Sequence, residues 1–222
     1  MCNISLSQKQ IILGGLLGDS SFYKDKKYVS FSHSEKQFGY IKWKYYMFYD
    51  SEECFKKTYN TWNNQKYPRY YFYYYLHADN ILYSFICKNL YSNDGRKKIS
   101  LKYLNELTPL GLAVWWMDDG CICLSKRNRY GKLSTNCFNY EEQILLQKYF
   151  KEKWNINVAI KQENGSYFLR FNVEALKKLI KIIYPFVTQV EGMSYKVDLD
   201  YQYHRCIGED FMDIYNYIKR TQ

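Results

Sequence analysis

Two aspartates, Asp19 and Asp119, stand 100 residues apart, each at the end of a similar apolar run. The first run reads GGLLGDSSF over residues 14–22, and the second reads PLGLAVWWMDDGCI over 109–122. Each half of the chain later reaches a lysine: Lys97 or Lys98 in RKKIS, and Lys196 in MSYKVD. Lys98 follows Asp19 by 79 residues and Lys196 follows Asp119 by 77. Two ionised carboxylates brought together repel, and without a counterion one takes up a proton. A divalent cation removes the conflict. Magnesium is hard, takes carboxylate oxygens, keeps several waters and uses phosphate oxygens as further ligands. The backbone carbonyls of Gly18 and Asp118 are expected as additional ligands. A pair of ions ~3.5–4 Å apart stabilises both the attacking and the leaving oxygen of an in-line phosphoryl displacement. A lysine at the scissile phosphate stabilises developing charge or orients the hydrolytic water.

Something must bring these residues together, and the glycines indicate what. Gly14, Gly15 and Gly18 lie in an otherwise helical stretch, where each costs about 1 kcal/mol relative to alanine and the three together roughly 3 kcal/mol. Gly14 and Gly18 are one helical turn apart on one face. Bare backbone there lets a second helix approach closely, and the repeated run at 109–119 supplies that helix. Crossed at these positions, both helices end at one place and deliver Asp19 and Asp119 side by side.

The repetition extends downstream. Strand-like segments at 20–24 and 28–33, around the turn 25–27, match 120–125 and 131–137 around 126–130. Helices over 36–49 and 140–153 follow, then strands 54–62 with 69–77 and 157–163 with 166–172, then helices over 79–91 and 173–184. The predicted fold is α+β: two pseudo-symmetric αββαββα repeats with the two motif helices packed at the centre, as in a two-fold dimer fused into one chain. We divide the chain into an N-terminal half-domain (1–96), a connector (97–108) within the polar, turn-rich stretch 92–108, and a C-terminal half-domain with a tail (109–222).

The chain carries 32 basic and 22 acidic residues, a net charge of +10, which attracts polyanions, nucleic acid above all. The strands fit such a partner. Period-two alternation along RYYFYYYLH puts Tyr70, Phe72, Tyr74 and Leu76 on one face and Arg69, Tyr71, Tyr73, Tyr75 and His77 on the other. In the second half, Lys161, Arg170 and Asn172 fall on the outward face. Ser30 and Ser32 of 28–33, with Lys132 and Asn136 of 131–137, complete the expected contacts. Strands of this kind can lie in the major groove of double-stranded DNA, where base edges are distinguishable.

Other classes are disfavoured. No stretch approaches the ~20 apolar residues of a membrane span, so no membrane partner is expected. No basic segment followed by an apolar run and cleavage site marks a secretory signal. The seven cysteines, Cys2, Cys54, Cys87, Cys121, Cys123, Cys137 and Cys206, form no CxxC pair, which argues for a reducing compartment and against zinc. His33, His77 and His204 are far apart in sequence and form no cluster by themselves.

At Ile12–Ser20 and Leu112–Gly120 the sequence resembles the LAGLIDADG homing endonucleases, in their single-chain, intron-encoded form. KKIS before the second motif, LSTNCFNYEEQ after it and MSYK near the end extend the likeness over about residues 8–197. The resemblance implies a saddle-shaped antiparallel sheet over a long DNA site, cut on both strands across the minor groove by a magnesium-dependent endonuclease. Mn²⁺ would substitute, and Ca²⁺ would bind without turnover. Asp19 and Asp119 match the motif acids, and Lys98 and Lys196 match the basic residues of the active site. Ser20 replaces the last motif glycine in the first copy, and Leu17 and Met117 replace an earlier, variable acid; neither change removes a metal ligand. The resemblance also implies a monomer with internal two-fold symmetry. It points to an intracellular protein of mitochondrial or other organellar origin, with bacterial or phage origin the alternative. Two other functions fit the same fold: a maturase, with intron RNA as partner, and a non-catalytic DNA-binding protein.

Overall fold

The computed structural model describes residues 4–77, 80–124 and 129–197. Expected features at 125–128, the tail 198–222, Cys2, His204 and Cys206 lie outside the described residues.

The first half runs α1 (Leu6–Leu17), β1 (Ser21–Tyr23), β2 (Tyr28–Ser34), α2 (Phe38–Tyr46), β3 (Lys56–Trp62), β4 (Gln65–Tyr75) and α3 (Ile81–Leu90). After a short α4 (Leu101–Asn105) the second half repeats the order. It comprises α5 (Pro109–Asp119), β5 (Gly120–Leu124), β6 (Arg129–Leu133), α6 (Tyr140–Trp154), β7 (Val158–Glu163), β8 (Ser166–Phe171) and α7 (Val173–Val187). Each half folds its strands into a four-stranded antiparallel sheet, ordered β1-β2-β4-β3 and β5-β6-β8-β7. The αββαββα repeat is therefore present twice.

Local chemistry explains the elements. Ser5 and Gln8 form a capping box that starts α1, and Asn139 with Glu142 does the same for α6. Pro109 opens α5 at a position where its missing N–H is no loss. The β3–β4 and β7–β8 hairpins turn on Asn63-Asn64 and Asn164-Gly165, all four at positive φ, as a tight two-residue hairpin requires. The NG pair is such a signal. The β3–β4 hairpin is longer than the sequence indicated, because the strands continue to the two asparagines.

Inside each half the helices cover one face of the sheet. Phe31, Tyr45 and Phe72 pack together in the first half, and Trp115, Phe150 and Phe171 in the second. Along β4 and the two residues after it the expected split is seen in part: Phe72 and Leu76 are buried and Tyr75 and His77 exposed, while Tyr70, Tyr71, Tyr73 and Tyr74 are half-buried. The segment predicted as connector contains α4, which joins both halves. The Tyr103 hydroxyl donates to the Leu13 carbonyl at 2.9 Å, and Arg96 pairs with Glu142 at 3.0 Å.

Three expected strands end early. β6 stops at Leu133, so Asn136 lies in an exposed turn and not on a strand. The cause is Thr135, which turns inward: its hydroxyl meets Gln143 Oε1 at 2.8 Å and its carbonyl accepts from Gln143 Nε2 at 2.8 Å. Asn172 follows β8 and caps α7, its Oδ1 accepting from the Ala175 N–H at 2.9 Å. His77 also lies beyond the end of its strand.

Candidate active site

α1 and α5 pack directly against each other, and the small residues are at the contact. A Cβ on Gly14 would stand 2.2 Å from the Gly111 carbonyl oxygen, and one on Gly18 would stand 2.5 Å from Asp118 Cβ. Gln10 of α1 grips the start of α5, accepting from the Thr108 N–H at 2.7 Å and donating to the Glu106 carbonyl at 2.9 Å. The departure at Ser20 has a local compensation. Gly15 leaves room for it, since a Cβ there would lie 2.6 Å from Ser20 Oγ. At the matching place in the second motif Gly120 lies under Trp116, 2.2 Å from where its Cβ would be.

The crossed helices bring their ends together. The Asp19 N–H donates to Asp118 Oδ2 at 3.2 Å. Burial and the neighbouring Asp118 raise the Asp19 carboxyl above its ordinary value. Asp119 is pushed up to about 7 by burial, then by Asp118 and Asp19. Asp119 thus feels the charge of Asp19, and Asp118 acts on both.

A lysine reaches this point from each half. Lys196, in a 3-10 turn (Ser194–Lys196), donates to the Gly120 carbonyl at 2.7 Å, and its own carbonyl accepts from Trp116 Nε1 at 3.0 Å. Its counterpart is Lys97, whose ammonium lies 3.4 Å from the carbonyl of Ser20, the residue equivalent to Gly120. Burial lowers the pKa of both lysines, against the pull of Asp118, Asp19 and Asp119. The geometry therefore places Lys97, and not the expected Lys98, opposite Lys196. The backbone N–H of Lys98 instead donates to the Leu90 carbonyl at 2.8 Å. Neighbours on a loop have no periodicity to separate them, so the sequence could not tell the pair apart.

Sequence reasoning missed a buried group beside the acids. Asp118 was expected to offer its carbonyl, yet its carboxylate is the more telling group. Oδ1 accepts from Lys44 Nζ at 2.9 Å and from the Tyr40 hydroxyl at 2.8 Å. Lys44 also lies 2.9 Å from His33 Nε2, and Tyr40, Lys44 and His33 are all buried. Burial and the Lys44 ammonium hold the His33 pKa well below its ordinary value, so the ring is neutral. The available signal was Lys44 itself, which shares the inward stripe of α2 with Tyr40, Ile41 and Tyr45.

The donor set suits a hard divalent cation: two raised, partly accessible carboxylates relieved by positive charge. One ligand atom each from Asp19, His33 and Asp118 also lies within 4.8 Å of the others. In that second group the Lys44 ammonium bonds His33 Nε2 and Asp118 Oδ1, and Asp118 Oδ2 accepts from the Asp19 N–H.

Of the other expected residues, His77, Asn136 and Asn172 lie off the strands, and the rest fall on the outward sheet faces. Arg69 donates to the Ser32 carbonyl at 3.3 Å, in a β2–β4 register that sets Ser30 opposite Tyr73 and Ser32 opposite Tyr71. Lys132 pairs with Glu163 and lies 4.5 Å from the centre of the Phe168 ring, while Arg170 lies 4.7 Å from that of Tyr130. Lys161 is exposed, opposite Phe168.

Two αββαββα units whose central helices carry their acids to one point define a two-motif LAGLIDADG protein. A profile of the LAGLIDADG DNA endonuclease family matches residues 9–179, and the chain belongs to that family. The cytochrome b mRNA maturase bI2 of Saccharomyces cerevisiae is 37% identical over 123 residues, which is 53% of this chain and 27% of the maturase. A RecA protein of Mycolicibacterium flavescens is 26% identical over 210 residues, 87% of this chain and 47% of that protein. The chain thus spans about a quarter to a half of the length of these curated relatives. Among solved structures, the homing endonuclease I-WcaI bound to its DNA recognition sequence shares the fold with a TM-score of 0.74 at 22% identity, over 89% of this chain and 88% of that one.

Proposed function

We propose that this chain is a site-specific double-strand DNA endonuclease that hydrolyses one phosphodiester in each strand. The observation that carries the reading is the meeting of Asp19 and Asp119 at the ends of two crossed helices, with one lysine supplied by each half. Asp19 and Asp119 would hold divalent cations, with the carbonyls of Gly18 and Asp118 as further candidates. Bound there, such ions polarise the scissile phosphate and activate water. Lys97 and Lys196 are anchored to equivalent carbonyls and face the acids, so each would place positive charge beside one of two antiparallel strands. Tyr71, Tyr73 and Tyr75, with Arg69, Lys132, Lys161 and Arg170, would line the DNA-facing sheets. Mg²⁺ is the natural ion for such oxygen ligands, Mn²⁺ its substitute and Ca²⁺ a non-productive one. The enzyme would act as a monomer, because both halves of the site lie in one chain.

The test is cleavage of DNA carrying the intron-insertion site in the presence of Mg²⁺. Asp19→Asn and Asp119→Asn keep shape and remove charge, and each is expected to reduce cleavage by at least about 100-fold with DNA binding retained. Full cleavage by both variants would end the nuclease reading.

The likeness to an mRNA maturase favours a second reading, in which the chain assists splicing of the intron that encodes it. This reading also supports an organellar origin. Splicing that survives the Asp19→Asn/Asp119→Asn double substitution while cleavage is lost would show that both activities reside in one fold. Splicing survival in a protein that never cuts would leave the maturase role alone.

A further inference from the structure

The two halves of the site are not equivalent. Position seven of the motif is Gly18 in the first copy and Asp118 in the second. The Asp118 side chain points into the first half-domain, where Tyr40, Lys44 and the Asp19 N–H bond it. Among the described residues, no cation occupies the equivalent place in the second half-domain. Phe31 and Leu133 occupy equivalent places on β2 and β6, which makes Thr135 the counterpart of His33, and Thr135 bonds the neutral Gln143.

The hydrogen-bond chemistry of the first half has one consistent solution. An ammonium only donates. Lys44 Nζ, at 2.9 Å from both Asp118 Oδ1 and His33 Nε2, must therefore give a proton to each. Its charge also lies 4.2 Å from the centre of the Tyr40 ring. If Nε2 accepts, the single proton of a neutral imidazole resides on Nδ1. His33 Nδ1 is buried with no partner at ordinary hydrogen-bond distance; the Gln37 side chain also interacts with the ring, and Asp19 Oδ2 lies 3.7 Å from Nδ1. An orphaned, buried polar atom aimed at a carboxylate calls for a role.

We propose that His33 is a positioning residue for Asp19: the Asp118–Lys44 pair fixes its ring with the proton on Nδ1, and that N–H directs its positive end toward one oxygen of the Asp19 carboxylate, 3.7 Å away. The inference rests on Asp19 being a working acid of the site, as proposed above. Histidine and carboxylate pairs orient ligand groups in this way in many metal sites, and their loss costs about 10- to 100-fold. Among the described residues Asp119 has no equivalent support, so the two strand cuts should depend on His33 unequally.

Two measurements test this on the full chain without DNA or metal and with both. The first is ¹⁵N NMR of the histidine rings, with His33 assigned by its absence in His33→Asn. A protonated Nδ1 and an unprotonated Nε2 are expected. The Lys44→Met/Asp118→Asn double variant, which removes the buried pair together, is expected to move the proton to Nε2. A proton on Nε2 in the unaltered protein, or a tautomer unchanged in the double variant, overturns the proposal. The second is strand-resolved cleavage. His33→Leu is expected to slow one strand about 10- to 100-fold more than the other, with partial rescue by His33→Asn, whose amide can donate from near the Nδ1 position. Equal slowing of both strands overturns it. If the unaltered protein cuts no DNA, the nuclease reading falls while the tautomer measurement still decides whether Lys44 sets the ring.

Discussion

Asp118 shows how a single side chain can change the meaning of a duplicated motif. The paired acids and the outward tyrosines were legible in the sequence because position and alternation carry them. The Tyr40–Lys44–His33 group was not, because its members are spread over two elements and become neighbours only when β2 packs under α2. Their energetics give two predictions. Tyr40→Phe removes a 2.8 Å hydrogen bond to a buried carboxylate and should lower stability by about 1.5 kcal/mol. Asp118→Ala leaves the buried Lys44 ammonium without its counter-charge and should cost about 3–5 kcal/mol. Urea unfolding followed by circular dichroism measures both, and a smaller loss for Asp118→Ala than for Tyr40→Phe would contradict the pairing. At the same scale, Lys97→Met should abolish cleavage while Lys98→Met stays within a few-fold of the unaltered protein, since only Lys97 shares its anchor with Lys196.

The elements were legible to different degrees, and burial decides which. α7 keeps Leu176, Leu179, Ile180 and Ile183 inward, a spacing any sequence displays. α1 and α5 lie between the two halves, and nearly every residue from Gln10 to Leu17 and from Gly111 to Asp118 is buried. Such helices have no polar face to mark their period. Their glycines marked them instead, and the approach of the backbones at Gly14 explains why. α4 went unseen because five residues are too few to show a period, and β6 was overextended because Thr135 satisfies its backbone through a side chain. Gly14→Ala tests the helix contact. By propensity it should stabilise α1 by about 1 kcal/mol. In place, its Cβ would stand 2.2 Å from a rigid backbone oxygen, and net destabilisation of about 3 kcal/mol is expected. A denaturant midpoint at or above that of the unaltered protein would mean that α1 and α5 are not held this closely in solution.

At the scale of the whole molecule the repeat was the most legible feature, because the same order of elements twice in one chain needs no boundary to be accurate. It also fixes where the charge goes. With helices on one face of each sheet, the outward strand faces are left to meet a partner, and they carry Lys56, Arg69, Lys132, Lys161 and Arg170 among aromatic rings. Each cation that neutralises a DNA phosphate releases condensed counterions, so affinity falls with salt at a slope of about −0.9 per contact on logarithmic axes. Five contacts give a slope of about −4.5, a loss of about 500-fold between 50 and 200 mM salt. Lys132 must exchange Glu163 for a phosphate to take part, which makes it the weakest of the five. Arg170→Ala is therefore the sharper probe. It should reduce the slope by about 0.9 if Arg170 meets the backbone, and change the ranking of DNA sequences if it reaches a base edge. Fluorescence anisotropy across a salt series separates the two outcomes. An unchanged slope together with an unchanged ranking would remove Arg170 from the DNA interface and leave Lys132 and Lys161 as the contacts of the second sheet.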